Sequence, residues 1–343
     1  MSESKDFSPI LKRLVAGETL DADSSSRAFA ALISGEVSQI RIASFLTALA
    51  AREATVDEIV GAARAMRGAM HKVTAPAGAI DLCGTGGDGH GTLNVSTAAA
   101  FVVAACGVLV AKHGNRNMSS RTGTADVLEA LGVKIDIDAA TAERCLREAG
   151  LSFLFAQTFH PAMKYVAPVR KELGFRTIFN LLGPISNPAG VRRQLLGIYS
   201  RDWIEPIAHV LAKLGTEKAW IVHGSDGLDE MTTPGATHVA ILEHGKVTTR
   251  EVTPEDAGMT RATLTALKGG EPAENAAALR ALLEGAKGAY RDIVLLNAAA
   301  ALIVADKVAD LKEGVALAAR AIDSGGAKAV LAKLVTVSQG ARA

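Results

Sequence analysis

Aromatic residues are scarce in this sequence: two Trp, three Tyr and nine Phe make up 4% of 343 residues, although 49% of the chain is hydrophobic. An interior with so few rings must be filled by Ala, Leu, Val and Ile, which favours close packing of helices and strands. Cysteine is scarce too. Cys83, Cys106 and Cys145 are odd in number and lack metal-ligand spacing, which argues against a disulfide framework or thiolate zinc site and predicts reduced, buried thiols in a cytoplasmic protein. Neither sign of charge dominates, with 37 Lys and Arg against 36 Asp and Glu, so no global field exists to hold a nucleic acid and any anion site must be local. No apolar run reaches the roughly 20 residues that cross a bilayer. The longest, residues 98–111, is interrupted by Gly107, and residues 1–7 are polar rather than signal-like.

What the chain does contain is length for about two domains at roughly 150 residues each. The first 75 residues read as a small helical domain. Pro9 after Ser8 marks a helix start, Gly17 and Gly35 end segments, and Ile42, Phe45, Leu46 and Leu49 repeat on one helix face. Thr55 with Glu58 forms a capping box. A Pro, Ala and Gly stretch over 73–78 marks the junction. Beyond it, residues 76–343 alternate short apolar strands (79–83, 108–111, 152–155, 194–199, 219–222) with helix-length segments, which predicts a larger α/β domain with a mainly parallel central sheet. Alternating apolar residues on either side of Glu243-His244-Gly245 predict an antiparallel hairpin, and the Ala-rich tail from Asn275 returns to helix.

The densest chemical signal is Asp81-Leu82-Cys83-Gly84-Thr85-Gly86-Gly87-Asp88, placed after a strand and before Asn94-Val95-Ser96-Thr97 and an apolar helix. Glycines at a strand's carboxyl end let main-chain N–H groups approach an anion, and a helix start adds unpaired N–H groups. The pattern suits a pyrophosphate, yet it is neither a P-loop nor a dinucleotide fingerprint. A second polar cluster, from Lys112 through His113, Gly114, Asn115, Arg116, Asn117, Met118, Ser119 and Ser120 to Arg121, directly follows the strand at 108–111. Cations, amides and hydroxyls this close together offer many donors to phosphate and ribose. A third feature is Asp229-Glu230 after Gly227. Adjacent carboxylates in a strand would face opposite ways, so convergence on one ligand demands a turn there.

These pieces, together with Ala125-Asp126-Val127-Leu128-Glu129, Phe159-His160-Pro161-Ala162-Met163, Val169-Arg170-Lys171-Glu172-Leu173-Gly174, Arg176-Thr177-Ile178-Phe179-Asn180, Leu182-Gly183-Pro184 and Asn187-Pro188-Ala189, resemble the anthranilate phosphoribosyltransferases in order and spacing. The resemblance runs from the helical domain nearly to the C-terminus. It implies a fold similar to pyrimidine nucleoside phosphorylases, a segment near 167–183 that returns to the helical domain at a hinge, and a homodimer. Thr122 and Thr124 stand where many relatives carry serines. The paired acidic residues of most other phosphoribosyltransferases are missing, as this family leads one to expect.

By resemblance, Gly84, Gly87, Asp88, Thr92, Asn94, Val95, Ser96, Thr97 and the stretch from Lys112 to Ser120, with Thr124, would bind phosphoribosyl pyrophosphate (PRPP). Asp229 and Glu230, beside Ser96, would hold Mg²⁺, since hard oxygen donors plus substrate phosphates are its usual surroundings. Arg170 would grip the carboxylate of anthranilate, with Gly84 and Asn115 nearby. No residue is assigned as nucleophile or general base, because an arylamine can attack the ribose carbon itself. His113 and His160 are read as structural or packing residues. Two rivals remain open at this point: a nucleoside phosphorylase of similar architecture, and a non-catalytic binder of polyanions.

Overall fold

The computed structural model describes residues 7–116 and 122–341, so the expected phosphate contacts Asn117, Met118, Ser119 and Ser120 lie outside the described residues. The chain divides into two compact units. One holds the residues up to His71 together with Gln157–Pro188; the other holds Lys72–Ala156 and the chain from Ala189 onward.

The first unit is helical. Helix α1 (Ser8–Val15) starts at a proline, α2 (Ala22–Ser34) is capped by the Asp21 carboxylate on the Ser24 N–H and stopped by Gly35 at φ +86°, and α3 (Gln39–Arg52) precedes α4 (Val56–Ala69). The capping box expected at Thr55 and Glu58 forms. Glu58 does more than cap: it is fully buried, accepts the Leu20 N–H at 2.9 Å and pairs with Arg52. Burial pushes its carboxyl upward, but the bonds from Arg52, Thr55 and Leu20 outweigh this and hold it below its ordinary value. Gly61 allows α2 and α4 to touch, since a Cβ there would lie 2.3 Å from the Ala22 carbonyl oxygen. Three aromatic contacts bind this unit: Phe7 and Phe29 pack on Phe45, and Phe179 packs on Phe29, at ring separations of 5.3 to 5.6 Å. The later stretch of this unit adds short helices.

Among the described residues the second unit is built on seven strands: β1 (Ile80–Gly84), β2 (Val110–Gly114), β3 (Leu151–Phe155), β4 (Arg193–Gly197), β5 (Lys218–Gly224), β6 (Thr237–Glu243) and β7 (Lys246–Val252). Their spatial order is β3-β2-β1-β4-β5-β6-β7, parallel through β5 and antiparallel thereafter. The hairpin joining β6 and β7 turns on His244 and Gly245, both with positive φ, which is the two-residue turn whose twist matches the strands. The chain runs outward from β1 to β2 and β3, then comes back to the other flank of β1 as β4. A crevice therefore opens beyond the carboxyl ends of β1 and β4, where ligands of open α/β sheets bind.

Strand β2 corrects the sequence reading. The expected strand stopped at Ala111, but Lys112, His113 and Gly114 still pair with Phe153, Leu154 and Phe155 of β3, so the polar loop begins only after Gly114. Pairing partners on β3, not local polarity, set that boundary.

Helix α5 (Val95–Ala105) follows β1 and is almost wholly buried, as its continuous apolar run requires. It is followed by α6 (Thr124–Ala130) and α7 (Ala139–Ala149); α8 (Ala156–Phe159) begins the return to the first unit, which also contributes α9 (Ala167–Leu173) and α10 (Phe179–Leu182). The second unit continues with α11 (Ile204–Lys213), α12 (Pro272–Leu283), α13 (Ala289–Val304), α14 (Leu311–Asp323) and α15 (Gly326–Ser338). Helices α13, α14 and α15 pack on α5 while α11 covers β5, β6 and β7. Small residues make this possible: a Cβ on Gly314 would stand 2.7 Å from that of Ala299. No helix among the described residues is long and apolar enough to cross a membrane. The three cysteines are buried and free.

Candidate active site

The glycine loop leaves β1 at Gly84 and bends through Gly86, Gly87, Gly89 and Gly91, all at positive φ, where an L side chain would be strained. It is tied to the neighbouring strand by the Thr85 N–H on the Gly197 carbonyl, 2.9 Å, and by the Thr85 hydroxyl accepting from the Tyr199 N–H, 3.0 Å. Asp229 and Glu230 lie on the irregular segment after β5, with Gly227 at φ +94°, so the turn that convergence demanded is present. Asp229 sits directly over the ends of β1 and β4. A Cβ on Gly84 would come within 2.4 Å of its carboxylate, and one on Gly197 within 1.6 Å of its carbonyl oxygen. Gly84 therefore serves first as the seat of a carboxylate, and Gly197, which the sequence reading passed over, is its counterpart. The signal for Gly197 was a glycine ending a strand, which is too common to stand out.

Each carboxylate of the pair reaches a different motif. Asp229 accepts the Gly86 N–H at 2.7 Å, and Glu230 accepts the Ser96 N–H at 3.1 Å in the first turn of α5. Asp88 lies against Asp229 and completes an acidic group. Burial, followed by repulsion from Asp88, pushes the Asp229 carboxyl well above the usual carboxylate range; burial, followed by repulsion from Asp229, does the same to Glu230. The counterweight is Lys112. Its ammonium, almost fully buried, donates to the Leu82 carbonyl and, at 3.1 Å, to the Ser96 hydroxyl, and it attracts Glu230. One lysine against three carboxylates favours a further cation. Among the described residues no three or more carboxylate, His or Cys side chains form a closed metal cage. An open pair of hard oxygen donors beside a hydroxyl fits Mg²⁺, which takes its remaining ligands from phosphate and water.

Around this centre the other expected residues fall into two groups. Thr97 and Thr124 meet hydroxyl to hydroxyl at 3.2 Å, which joins the start of α5 to that of α6, and Thr92 pairs with Lys268 in an isolated antiparallel bridge. Asn94 stands immediately before α5, its side-chain oxygen bonded to Asn275. The Val95 side chain, by contrast, is buried in the core, so only its main chain can serve a ligand. His113 is buried, and its main-chain N–H donates to the Asp81 carboxylate at 3.1 Å. Asn115 turns its side-chain oxygen to the Arg116 N–H. Arg116, expected at the phosphates, has its guanidinium paired with Asp126 and Glu129 and 5.7 Å from the centre of the Phe155 ring. Those two carboxylates, ten and thirteen residues ahead on α6, capture it.

Arg170 belongs to the first unit, on α9. Its guanidinium lies 5.5 Å from the centre of the Phe179 ring, and burial lowers its pKa from the ordinary arginine value. His160, also in that unit, is buried, which drops its imidazole to about 4 and leaves it neutral near pH 7.

Comparison with known proteins identifies the family and the fold. Residues 8–70 match the helical bundle domain of the glycosyl transferase family, and residues 77–328 match its a/b domain. Anthranilate phosphoribosyltransferase of Rhodopseudomonas palustris is 58% identical over 336 residues, covering 98% of this chain and 99% of that protein. The crystal structure of anthranilate phosphoribosyltransferase from Thermus thermophilus superposes with a TM-score of 0.92 at 46% identity, over 96% of this chain and 99% of that one. The Saccharomyces cerevisiae enzyme gives a TM-score of 0.87 over 96% of both chains, and has been solved with PRPP and Mg at 29% identity and with 4-fluoroanthranilate at 28%. The chain belongs to the anthranilate phosphoribosyltransferase family.

Proposed function

We propose that the protein transfers the 5-phosphoribosyl group of PRPP to the amine of anthranilate, giving N-(5-phosphoribosyl)anthranilate and pyrophosphate in tryptophan biosynthesis. The observation that carries this reading is the seating of Asp229 and Glu230 on the glycine loop and on the first turn of α5 at once. That arrangement gathers cation ligands, main-chain N–H donors and Lys112 at one sheet edge, which is what a metal-bound diphosphate requires.

In this mechanism the anthranilate nitrogen forms a bond to the ribose C1 as the bond from C1 to the pyrophosphate oxygen breaks; the amine proton leaves to solvent. The loop from Gly84 to Asp88, with Thr92, Asn94, Ser96, Thr97, Asn115 and Thr124, binds and orients PRPP, and the buried Lys112 ammonium places positive charge beneath it. Asp229 and Glu230, next to the Ser96 hydroxyl, would hold Mg²⁺. When bound, the ion neutralises charge developing on the departing pyrophosphate. Arg170 receives the anthranilate carboxylate through paired N–H donors. The rate enhancement rests on positioning and electrostatic stabilisation, without a covalent intermediate.

The test mixes purified protein with PRPP, Mg²⁺ and anthranilate and follows loss of anthranilate fluorescence alongside pyrophosphate release. A nucleoside with inorganic phosphate should give no turnover. Absence of pyrophosphate release with anthranilate, or turnover of the nucleoside, would reverse the assignment. We also propose a cytoplasmic homodimer. Val15 on α1 and Ile40 on α3, 79% and 80% exposed, are large apolar side chains left to solvent on the first unit and support a second copy covering them.

A further inference from the structure

We propose that Asn275 is a positioning residue of the phosphate site: it holds the Asn94 amide in the one sense that points its NH₂ group, not its carbonyl oxygen, at the bound sugar diphosphate. The inference rests on the reading above that Asn94 contacts PRPP.

A strap of chain far from the glycine loop in sequence lies beside its end. Residues 267–270 run antiparallel to residues 91–93, with the Leu93 N–H on the Leu267 carbonyl and the Gly269 N–H on the Gly91 carbonyl, both at 2.9 Å, and Thr92 facing Lys268. The approach leaves no room for a side chain on Gly269, whose Cβ would stand 2.8 Å from the Thr92 carbonyl oxygen. The strap also accepts the Thr122 hydroxyl on the Gly270 carbonyl at 2.6 Å. It then enters α12, and Asn275 in the first turn of that helix is brought to Asn94, 181 residues away in the chain.

The direction of the bonds follows from chemistry. Asn275 accepts the Gly270 N–H at 2.8 Å. A main-chain N–H can only donate, so the atom that receives it must be the Asn275 oxygen, and its nitrogen must face Asn94. That nitrogen is a donor and meets Asn94 at 2.9 Å, so the Asn94 atom facing it must be oxygen. Asn275 is 2% exposed, too buried for water to replace either bond cheaply. The Asn94 carbonyl of the main chain is engaged as well, by the Tyr290 hydroxyl at 3.0 Å and by the Ala98 N–H at 3.1 Å. Burial, with the nearby Glu230 charge, raises the Tyr290 phenol, which keeps it a donor. Every acceptor on Asn94 is thus turned inward. What remains for a ligand is its NH₂ group, two N–H donors beside the start of α5, the polarity an anion needs and a cation does not.

The experiment reverses the sense of the relay. In Asn275→Asp the new carboxylate still accepts the Gly270 N–H but cannot donate, so Asn94 turns its NH₂ inward and its oxygen toward the phosphates. With Mg²⁺ present, PRPP affinity measured by titration calorimetry and the KM for PRPP should each weaken roughly 10- to 100-fold at pH 8, the range for a hydrogen bond to a charged group exchanged for repulsion. The KM for anthranilate and the melting temperature should stay near parental values. A merely structural role predicts instead a lower melting temperature and comparable losses for both substrates. No loss for PRPP, or an equal loss for anthranilate, overturns the proposal. Independently of whether that variant folds, Asn275→Ala should weaken PRPP binding in the parent but add nothing to Asn94→Ala, and additive losses overturn it too. Asn94→Ala is also the control for the underlying reading: if it leaves PRPP affinity intact, the assignment of Asn94 fails whatever Asn275 does.

Discussion

Replacing Gly197 by alanine puts the seat of Asp229 under direct test. The new Cβ would lie 1.6 Å from the Asp229 carbonyl oxygen, 2.5 Å from its carbonyl carbon and 3.4 Å from its Cα. Contacts under about 3.0 Å are essentially never tolerated, so the Asp229 main chain must retreat by about 1.4 Å or β4 must leave its register with β1 and β5. The strand is paired on both sides and is the stiffer element, so the loop should move. A misplacement near 1 Å costs on the order of 10²-fold in rate when geometry governs the reaction, and Asp229 carries Glu230 with it. We expect kcat/KM for PRPP to fall by about 100-fold or more, read from the loss of anthranilate fluorescence under saturating anthranilate. The Mg²⁺ concentration for half-maximal rate should rise alongside. Thermal unfolding separates this from collapse, and Gly68→Ala is the matched control. Gly68 lies in α4, and a methyl carbon there would meet nothing within 4 Å, so that change should stabilise by about 0.5–1 kcal/mol and leave turnover alone. Turnover of a folded Gly197→Ala protein within threefold of the parent would refute the claim that this contact sets the carboxylates.

Asp229→Asn and Glu230→Gln should each raise the Mg²⁺ requirement at least about tenfold and slow turnover, since each removes one charged ligand from a site with few; magnesium titrations of initial rate that overlay the parent curve would remove both from the metal site. The His160 imidazole gives a pH signature in stability. Its folded pKa, about 4, lies below the ordinary 6.5, mainly because burial penalises the charged form. The unfolded chain therefore binds the extra proton across that window, and the contribution is complete above pH 6.5 and lost as pH falls toward 4. At about 1.4 kcal/mol per unit the loss is about 3 kcal/mol, and His160→Asn should flatten the slope of urea-unfolding free energy between pH 6.5 and 4.5. If it does not, another group titrates there. For the proposed dimer, Ile40→Asp should shift the mass in light scattering from two chains to one at low micromolar concentration; an unchanged mass, or a parent that is already monomeric, would exclude this face.

Much of the molecule was legible in the sequence because its determinants are local. Helix starts at Pro9 and at Thr55 with Glu58, the hairpin turn at His244 and Gly245, and the left-handed glycines after β1 follow from backbone sterics and nearest neighbours. The same holds for the long apolar segment that became α5, whose burial pattern is a property of its own residues. Motif order was sufficient to indicate the family and the classes of ligand.

Tertiary structure alone decided which of those residues act together. Gly197 matters because sheet order places β4 beside β1 and a loop from beyond β5 crosses both. Lys112 is a buried strand residue whose ammonium threads under the site, because pairing with β3 extends β2 past the apolar run. Arg116 is ion-paired because α6 presents Asp126 and Glu129 to it. Asn275 reaches Asn94 across 181 residues through a strap with no sequence signature. Such contacts depend on register, crossover and packing distance. Those quantities are set by the folded chain as a whole, and no local stretch of residues encodes them.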